Sequence, residues 1–340
     1  MNYYLKRIGQ AVLTLFTVTT FAFVLFRLMP GGPIQSMRLM LEQEYIQRGQ
    51  VPDQAAIEQQ LAAYTGIVPD KPIWKQYVDY MIDVIVYQDF GTSIYYGEPV
   101  FGILLEAMPW SIFISVFGLA LGYTVNILLG ALLAYKEGSK TDSAFTVLAT
   151  FLNSVPYYVV AILLIANLAL QVEWIPKSGR YAQEVTPGFH PAFIESILKH
   201  AMLPVASSFV VGFGGGALSM RGNAIRILGE DYLRVARLRG ISASRIATRY
   251  VARNAILPMY TKFMIGIASI FSSSVILEQI FVYPGVGWYT YDGLRRQDYP
   301  LMMASFIFFT TLTILGVLLA DFTYGQIDPR VKSEGEGGGA

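Results

Sequence analysis

The sequence predicts an all-α membrane protein with six transmembrane helices and both termini in the cytoplasm. Three observations carry this. The first is composition: 54% of the 340 residues are hydrophobic, mean hydropathy is +0.46 and only 14% are charged, against about 25% in an ordinary soluble domain. The second is bunching. A helix needs roughly 20 mainly apolar residues to cross a bilayer, and six runs reach that length: 8–29, 110–135, 144–171, 201–220, 256–281 and 301–325. The third is the placement of Lys and Arg. With the N-terminus inside, segments 1–7, 136–143, 221–255 and 326–340 hold fourteen basic residues, and the longer outside segments hold nine. Short basic segments stay in the cytoplasm.

Residues 1–29 form an N-terminal segment and the first span. Its apolar run follows Lys6 and Arg7 and ends in "FRLMPGGP" rather than a small-residue cleavage site. An uncleaved span is therefore expected. Residues 30–109 are an extracytoplasmic, mostly helical segment with ten carboxylates against four basic residues. "MRLMLEQEYIQRG" and "DQAAIEQQLAAYTG" read as helices ending at Gly49 and Gly66. "KPIWKQYVDYMIDVIV" reads as a third, with Trp74, Tyr77, Tyr80 and Met81 at helical spacing. The segment is too small for an enzyme domain of its own; it reads as a docking surface for an outside partner or as a packed lid.

Residues 110–325 are a five-helix core, and 326–340 are a flexible cytoplasmic tail. In the fourth run, "GFGGG" (212–216) is not a phosphate loop, because no strand precedes it and no Lys-Ser/Thr pair follows. Gly212 and Gly216 read as small residues for close helix packing. His190 and His200 are the only histidines and lack metal-ligand spacing. Cysteine is absent, which excludes disulfides and thiol chemistry. A net charge of +1 points to no strongly charged partner.

The loop 221–255 is unusual. Eight arginines lie between Arg221 and Arg253. Topology alone tolerates them, and nucleic-acid binding is excluded because the loop is short and clamped between two membrane runs. Its internal pattern says more. Glu230 and Asp231 suit a helix N-terminus, Gly240 suits a C-terminal stop, and Ser242 or Ser244 suits the cap of a second helix. In that second helix Arg245, Arg249 and Arg253 recur every four residues as a basic stripe. A short capped helix outside the bilayer, with apolar and small residues between arginines, suits docking into a groove on a cytosolic protein. Ala236 would permit close approach, and the arginines would pair with carboxylates.

"DYLRVARLRG…RYVARNAILP" resembles the coupling-helix signature of ABC importer permeases, and more narrowly that of the first permease subunit of the dipeptide/oligopeptide/nickel family. Asp231, Tyr232, Ala236, Arg237, Gly240, Arg253, Asn254, Ala255 and Pro258 carry the match. "RLMPGGP", "DKPIWKQYVDYM", "DFGTSIYYGEPV", "SVPYY", "EQIFVYPGVG", "RRQDYPLM" and "DFTYGQIDPRV" resemble the family's other landmarks, so the likeness covers nearly the whole chain. Two departures are Tyr250, where the family commonly has histidine, and the long helical insertion before residue 70.

The resemblance implies a type I ABC importer permease fold in the inner membrane of a prokaryote. It implies a second homologous permease, two cytosolic ABC ATPases and an extracytoplasmic substrate-binding protein as partners. The chain would be no enzyme and would hold no cofactor; ATP and Mg would sit on the ATPases, in keeping with the absence of a Walker motif here. Asp231, Tyr232, Arg234, Ala236, Arg237, Gly240, Arg253 and Asn254 would couple the permease to them. Ser272, Ser273, Ser274 and Glu278 on the fifth run are candidates for the translocation path, Glu278 alternatively pairing with Arg295 or Arg296. A secondary transporter or channel is the competing class. It would want midplane acidic or histidine relays, and the middles of the six runs carry no acidic residue, histidine, lysine or arginine.

Overall fold

The computed structural model describes residues 3–28, 33–65, 71–242, 245–268 and 274–327. Thirteen α-helices lie among them: α1 (Tyr3–Leu28), α2 (Pro33–Gln47), α3 (Gln54–Thr65), α4 (Ile73–Ile82), α5 (Val100–Tyr135), α6 (Lys140–Ser154), α7 (Tyr157–Leu164), α8 (Pro191–Leu228), α9 (Asp231–Leu238), α10 (Arg253–Ala268), α11 (Ser274–Ile280), α12 (Val286–Arg296) and α13 (Tyr299–Ile327). Single stretches of wider π-helix follow α4 and α7 and precede α10. Among the described residues there is no strand, only an isolated antiparallel bridge between Thr92 and Pro99. The chain divides into two compact units, one of Met1–Ser111 and Pro284–Leu318, the other of Ile112–Tyr283 and Leu319–Val331.

In the first unit the three helices expected outside the membrane all form. Gly49 takes φ +68°, the left-handed conformation that stops α2. Met37, Ile57 and Leu61 bury α2 against α3. On α4, Tyr77 and Tyr80 pack on a cluster of Phe23, Tyr299 and Met303, and the Tyr77 hydroxyl meets Thr20 Oγ1 at 2.7 Å. Trp74 is exposed. Two stretches far apart in sequence are stapled together. Asp298 caps α13, accepting from Leu301 N at 3.2 Å, from Tyr95 N at 3.1 Å and from the Ser93 hydroxyl. Asp292 accepts from Tyr96 Oη at 2.7 Å and pairs with Arg296 at 2.6 Å, whose guanidinium lies 3.5 Å over the Tyr95 ring. Burial, and then the adjoining Asp292 carboxylate, push the Tyr96 phenol above its ordinary range, so it stays a donor.

The second unit is built on α8. A Cβ on Gly214 would stand 2.3 Å from the Ala149 carbonyl oxygen, and one on Gly130 would stand 2.5 Å from that of Ala217. Those two glycines let α6 and α5 approach α8 backbone to backbone. The expectation of close helix packing holds at Gly216, where a Cβ would stand 2.1 Å from Asn126 Nδ2 of α5, and is corrected at Gly212, where nothing lies within 4 Å. His190 caps α8, its Nδ1 accepting from Phe193 N at 3.3 Å, and His200 Nδ1 meets the Ser196 carbonyl at 2.7 Å.

Four helices are long and apolar enough to cross a membrane: α1, α5, α8 and α13. The third expected run is not one straight span. Its two halves, Lys140–Ser154 and Tyr157–Ala169, meet at 94°. Pro156 is the cause: it has no N–H to donate and forces Val155 out of the helix, to φ −87° and ψ 126°. Counting the pair as one span gives five. The run 256–281 is represented by α10 and α11; residues 269–273 between them lie outside the described residues.

Candidate functional site

The loop between α8 and α10 folds around its own small core. α9 runs over eight residues with Asp231 in its first turn, where a carboxylate offsets the partial positive charge of the helix N-terminus. Glu230 precedes it without a side-chain capping bond. The other end is a Schellman motif. Gly240 N donates to Arg237 O at 3.0 Å, Ile241 N to Ala236 O at 3.2 Å, and Gly240 carries φ +70°. A side chain at 240 would find open space but a costly backbone conformation. Leu233, Ala236 and Ile246 form the buried core, with Ile241 and Tyr250 against it. Full burial of Leu233 contributes about 2 kcal/mol.

This corrects one expectation. Ala236 is 4% exposed and faces the loop's own core, not outward. Its small size suits the C-terminal turn closing over it. The outward apolar row is Tyr232, Val235 and Leu238, three residues apart, with Leu238 81% exposed. Arg234, Arg237 and Arg239 are exposed beside that row. Arg237 also lines a cavity of about 490 Å³ with Tyr135, Met220, Leu228 and Ile246.

The loop's arginines divide by environment. Arg221 is internal: its Nε and Nη2 hold Asp142 at 2.6 and 2.7 Å, and Gly138 N adds a bond to the same carboxylate. Of the loop arginines whose side chains are described, none but Arg221 pairs with a carboxylate. The second helix opens as π-helix, Ile246–Ala252, with Ser242 O accepting from Arg245 N and Ile246 N. Ser244 and the Arg253 side chain lie outside the described residues, so the stripe is seen at exposed Arg245 and Arg249 alone. Asn254 Nδ2 donates to the Tyr232 hydroxyl at 3.1 Å and to the Tyr250 carbonyl at 2.9 Å. The first bond ties α10 to the start of α9; the second is local, to the residue four back.

α5, α6, α8, α10 and α11 line an open cavity of about 510 Å³. Gly118, Gly122 and Gly212 line it, each with open space where a Cβ would stand. Glu278, buried, lines it from α11, so of the expected path residues this one faces a cavity. Ser272 and Ser273 lie outside the described residues, as does the Ser274 side chain. Arg296, one of the two expected alternatives for Glu278, is engaged by Asp292, and Arg295 is exposed.

Two cavity residues escape sequence reasoning. Asn126 is 6% exposed; its Nδ2 donates to Gly212 O at 3.1 Å, and its Oδ1 has no hydrogen-bond partner. Lys262 lines the cavity and donates to Ser219 Oγ at 2.8 Å. It is the seventh residue of the run 256–281, away from the midpoint. The signal was an ionisable residue within a span at any depth.

Residues 126–333 match a family described as binding-protein-dependent transport system inner membrane component. The dipeptide transport system permease protein DppB of Lactococcus lactis subsp. cremoris is 30% identical over 98% of this chain and 99% of its own. DppB of Bacillus subtilis is 29% identical over 99% of each, and the oligopeptide transport system permease protein AppB of the same organism is 29% identical over 97% of this chain and 99% of its own. With its apolar spanning helices and a family match over well over half its length, the chain belongs to the family of binding-protein-dependent transport system inner membrane components.

Proposed function

We propose that the chain is one of two permease subunits of an ATP-driven importer of di- and oligopeptides, and that α9 is where cytosolic ATPases dock. In this reading the core crosses the membrane six times with both termini in the cytoplasm, as in a type I importer. The partners are a second homologous permease, two ABC ATPases that hold ATP and Mg, and an extracytoplasmic binding protein that selects the peptide. Names of relatives support the substrate class. The chain itself catalyses nothing. ATP closes the ATPase pair, the pair moves α9, and the two permeases change which side of the path is open.

One observation carries the docking assignment. α9 satisfies its inner face with Leu233 and Ala236, and leaves Tyr232, Val235, Leu238 and three arginines exposed on the outer one. An apolar row flanked by unpaired guanidinium groups fits a groove lined by carboxylates. Tyr232 and Asn254 would hold the angle of the helix, and Gly240 its end.

The test is affinity purification of the full chain from mild detergent with its co-expressed operon partners. The wild type should bring down two ATPases and a second permease. Arg237→Glu should lose the ATPases yet keep the second permease. Recovery of a functional transporter without any ATPase would establish the competing class, a secondary transporter or channel.

A further inference from the structure

We propose that Lys262, held by Ser219, is a docking point for the carboxylate of a peptide in transit through the cavity. The proposal rests on the importer reading above and adds to it a named recognition group inside the membrane.

Lys262 lies nine residues past the start of α10 and Ser219 nine residues before the end of α8. At about 1.5 Å per residue both stand about 13 Å along their helices from the segment that joins α8 to α10, near the inner ends of the fourth and fifth runs. A cation within a membrane run is costly unless it faces a cavity or a counter-charge. Lys262 does face a cavity, but among the described residues no carboxylate pairs with it. Ser219 is fully used: its hydroxyl donates to Gly215 O at 2.9 Å and accepts from Lys262 at 2.8 Å. That fixes the ammonium and leaves it two N–H groups to give. Glu278 lines the same cavity, yet Lys262 forms no ion pair among the described residues, and a free peptide brings a carboxylate to it.

The rest of the wall agrees with a peptide. At about 510 Å³ the cavity is within the usual range for small-molecule sites. Three glycines leave room for side chains of different size. Asn126 keeps a spare acceptor, Oδ1, on the same wall, matching a peptide N–H. Carboxylate recognition with unselective side-chain space is what a conduit for varied peptides requires.

The chain has no cysteine, so single replacements can be labelled cleanly. The complete transporter carrying Lys262→Cys, or separately Gly122→Cys, is modified in detergent with charged methanethiosulfonates, with the dipeptide Ala-Phe or its C-terminal amide at millimolar concentration. A charge-assisted hydrogen bond of this kind is worth about a tenfold change. Lys262→Cys should therefore lose about tenfold in Ala-Phe transport, recover with the aminoethyl reagent that restores a cation, and fail to recover with the sulfonatoethyl reagent. Ala-Phe should slow modification at 262 and the amide should not. Equal protection by the two peptides, or equal recovery with both reagents, overturns the carboxylate role. If Gly122→Cys is still protected by peptide in that event, the importer path stands and only the proposal falls; if neither position is protected by either peptide, the path reading falls with it. Should Lys262→Cys fail to assemble, Lys262→Arg and Lys262→Gln decide: Arg should transport normally and Gln should not, and normal transport by both overturns the proposal.

Discussion

α9 and α12 are two short amphipathic helices, each with arginine in its last turn, and they have opposite fates. α12 is finished within its own unit. Asp292 and Gly293 are buried, and Arg296 is held by Asp292 and by the Tyr95 ring. α9 buries Leu233 and Ala236 but turns three arginines and an apolar row to the outside. The difference separates arginines that complete a fold from exposed arginines that pair with no carboxylate among the described residues. Arg221, clamped to Asp142, belongs with the first kind despite lying in the same loop as the second.

That contrast can be broken, and the largest effect belongs to the finished side. Asp298→Ala removes the α13 cap and orphans donors at Ser93 and Tyr95, at a cost of about 3 kcal/mol; thermal unfolding in detergent should show it, and ATPase co-purification of whatever remains folded should not change. Next comes Leu233→Ala, which empties the core of the loop at about 2.5 kcal/mol. It should loosen hydrogen exchange across 231–252 and weaken ATPase capture together. Arg237→Glu separates the two quantities: ATPase affinity should fall by at least about tenfold, some 1.4 kcal/mol, while the melting temperature holds, since exposed substitutions cost within about 0.5 kcal/mol. A large stability loss there would place Arg237 with the arginines that complete the fold. The smallest expected effect is Asn254→Ala, about 1 kcal/mol from the lost bond to Tyr232, read as a modest drop in peptide-stimulated ATP hydrolysis with assembly intact.

Much of this was legible in the sequence. Composition and run length gave away the spanning helices, Gly49 and Gly240 marked two real turns, and the three helices before residue 87 are where periodicity placed them. What was not legible follows from geometry. In "DYLRVARL" apolar residues sit at 232, 233, 235, 236 and 238, so both faces of one short helix qualify; Ile241 and Ile246, farther along, decide that Leu233 and Ala236 turn inward. Among the glycines at 212 and 214–216, only the positions of Ala149 and Asn126 on other helices show that Gly214 and Gly216, and not Gly212, lie at close approaches. Pro156 carried its break in plain view, but an apolar run counted by length hides a bend. Lys262 was hidden because attention to span middles passes over a cation a quarter of the way in.

Lys262 and Ser219 lie at equal distances along α10 and α8 from the segment that joins the two helices. A tilt of about 10° at the loop end of one helix moves a group 13 Å along it by about 2 Å. A hydrogen bond of 2.8 Å does not survive that displacement. Under the proposed coupling, the Lys262–Ser219 bond would open and close with the angle of the loop, and the grip on whatever the ammonium holds would follow the motion of α9.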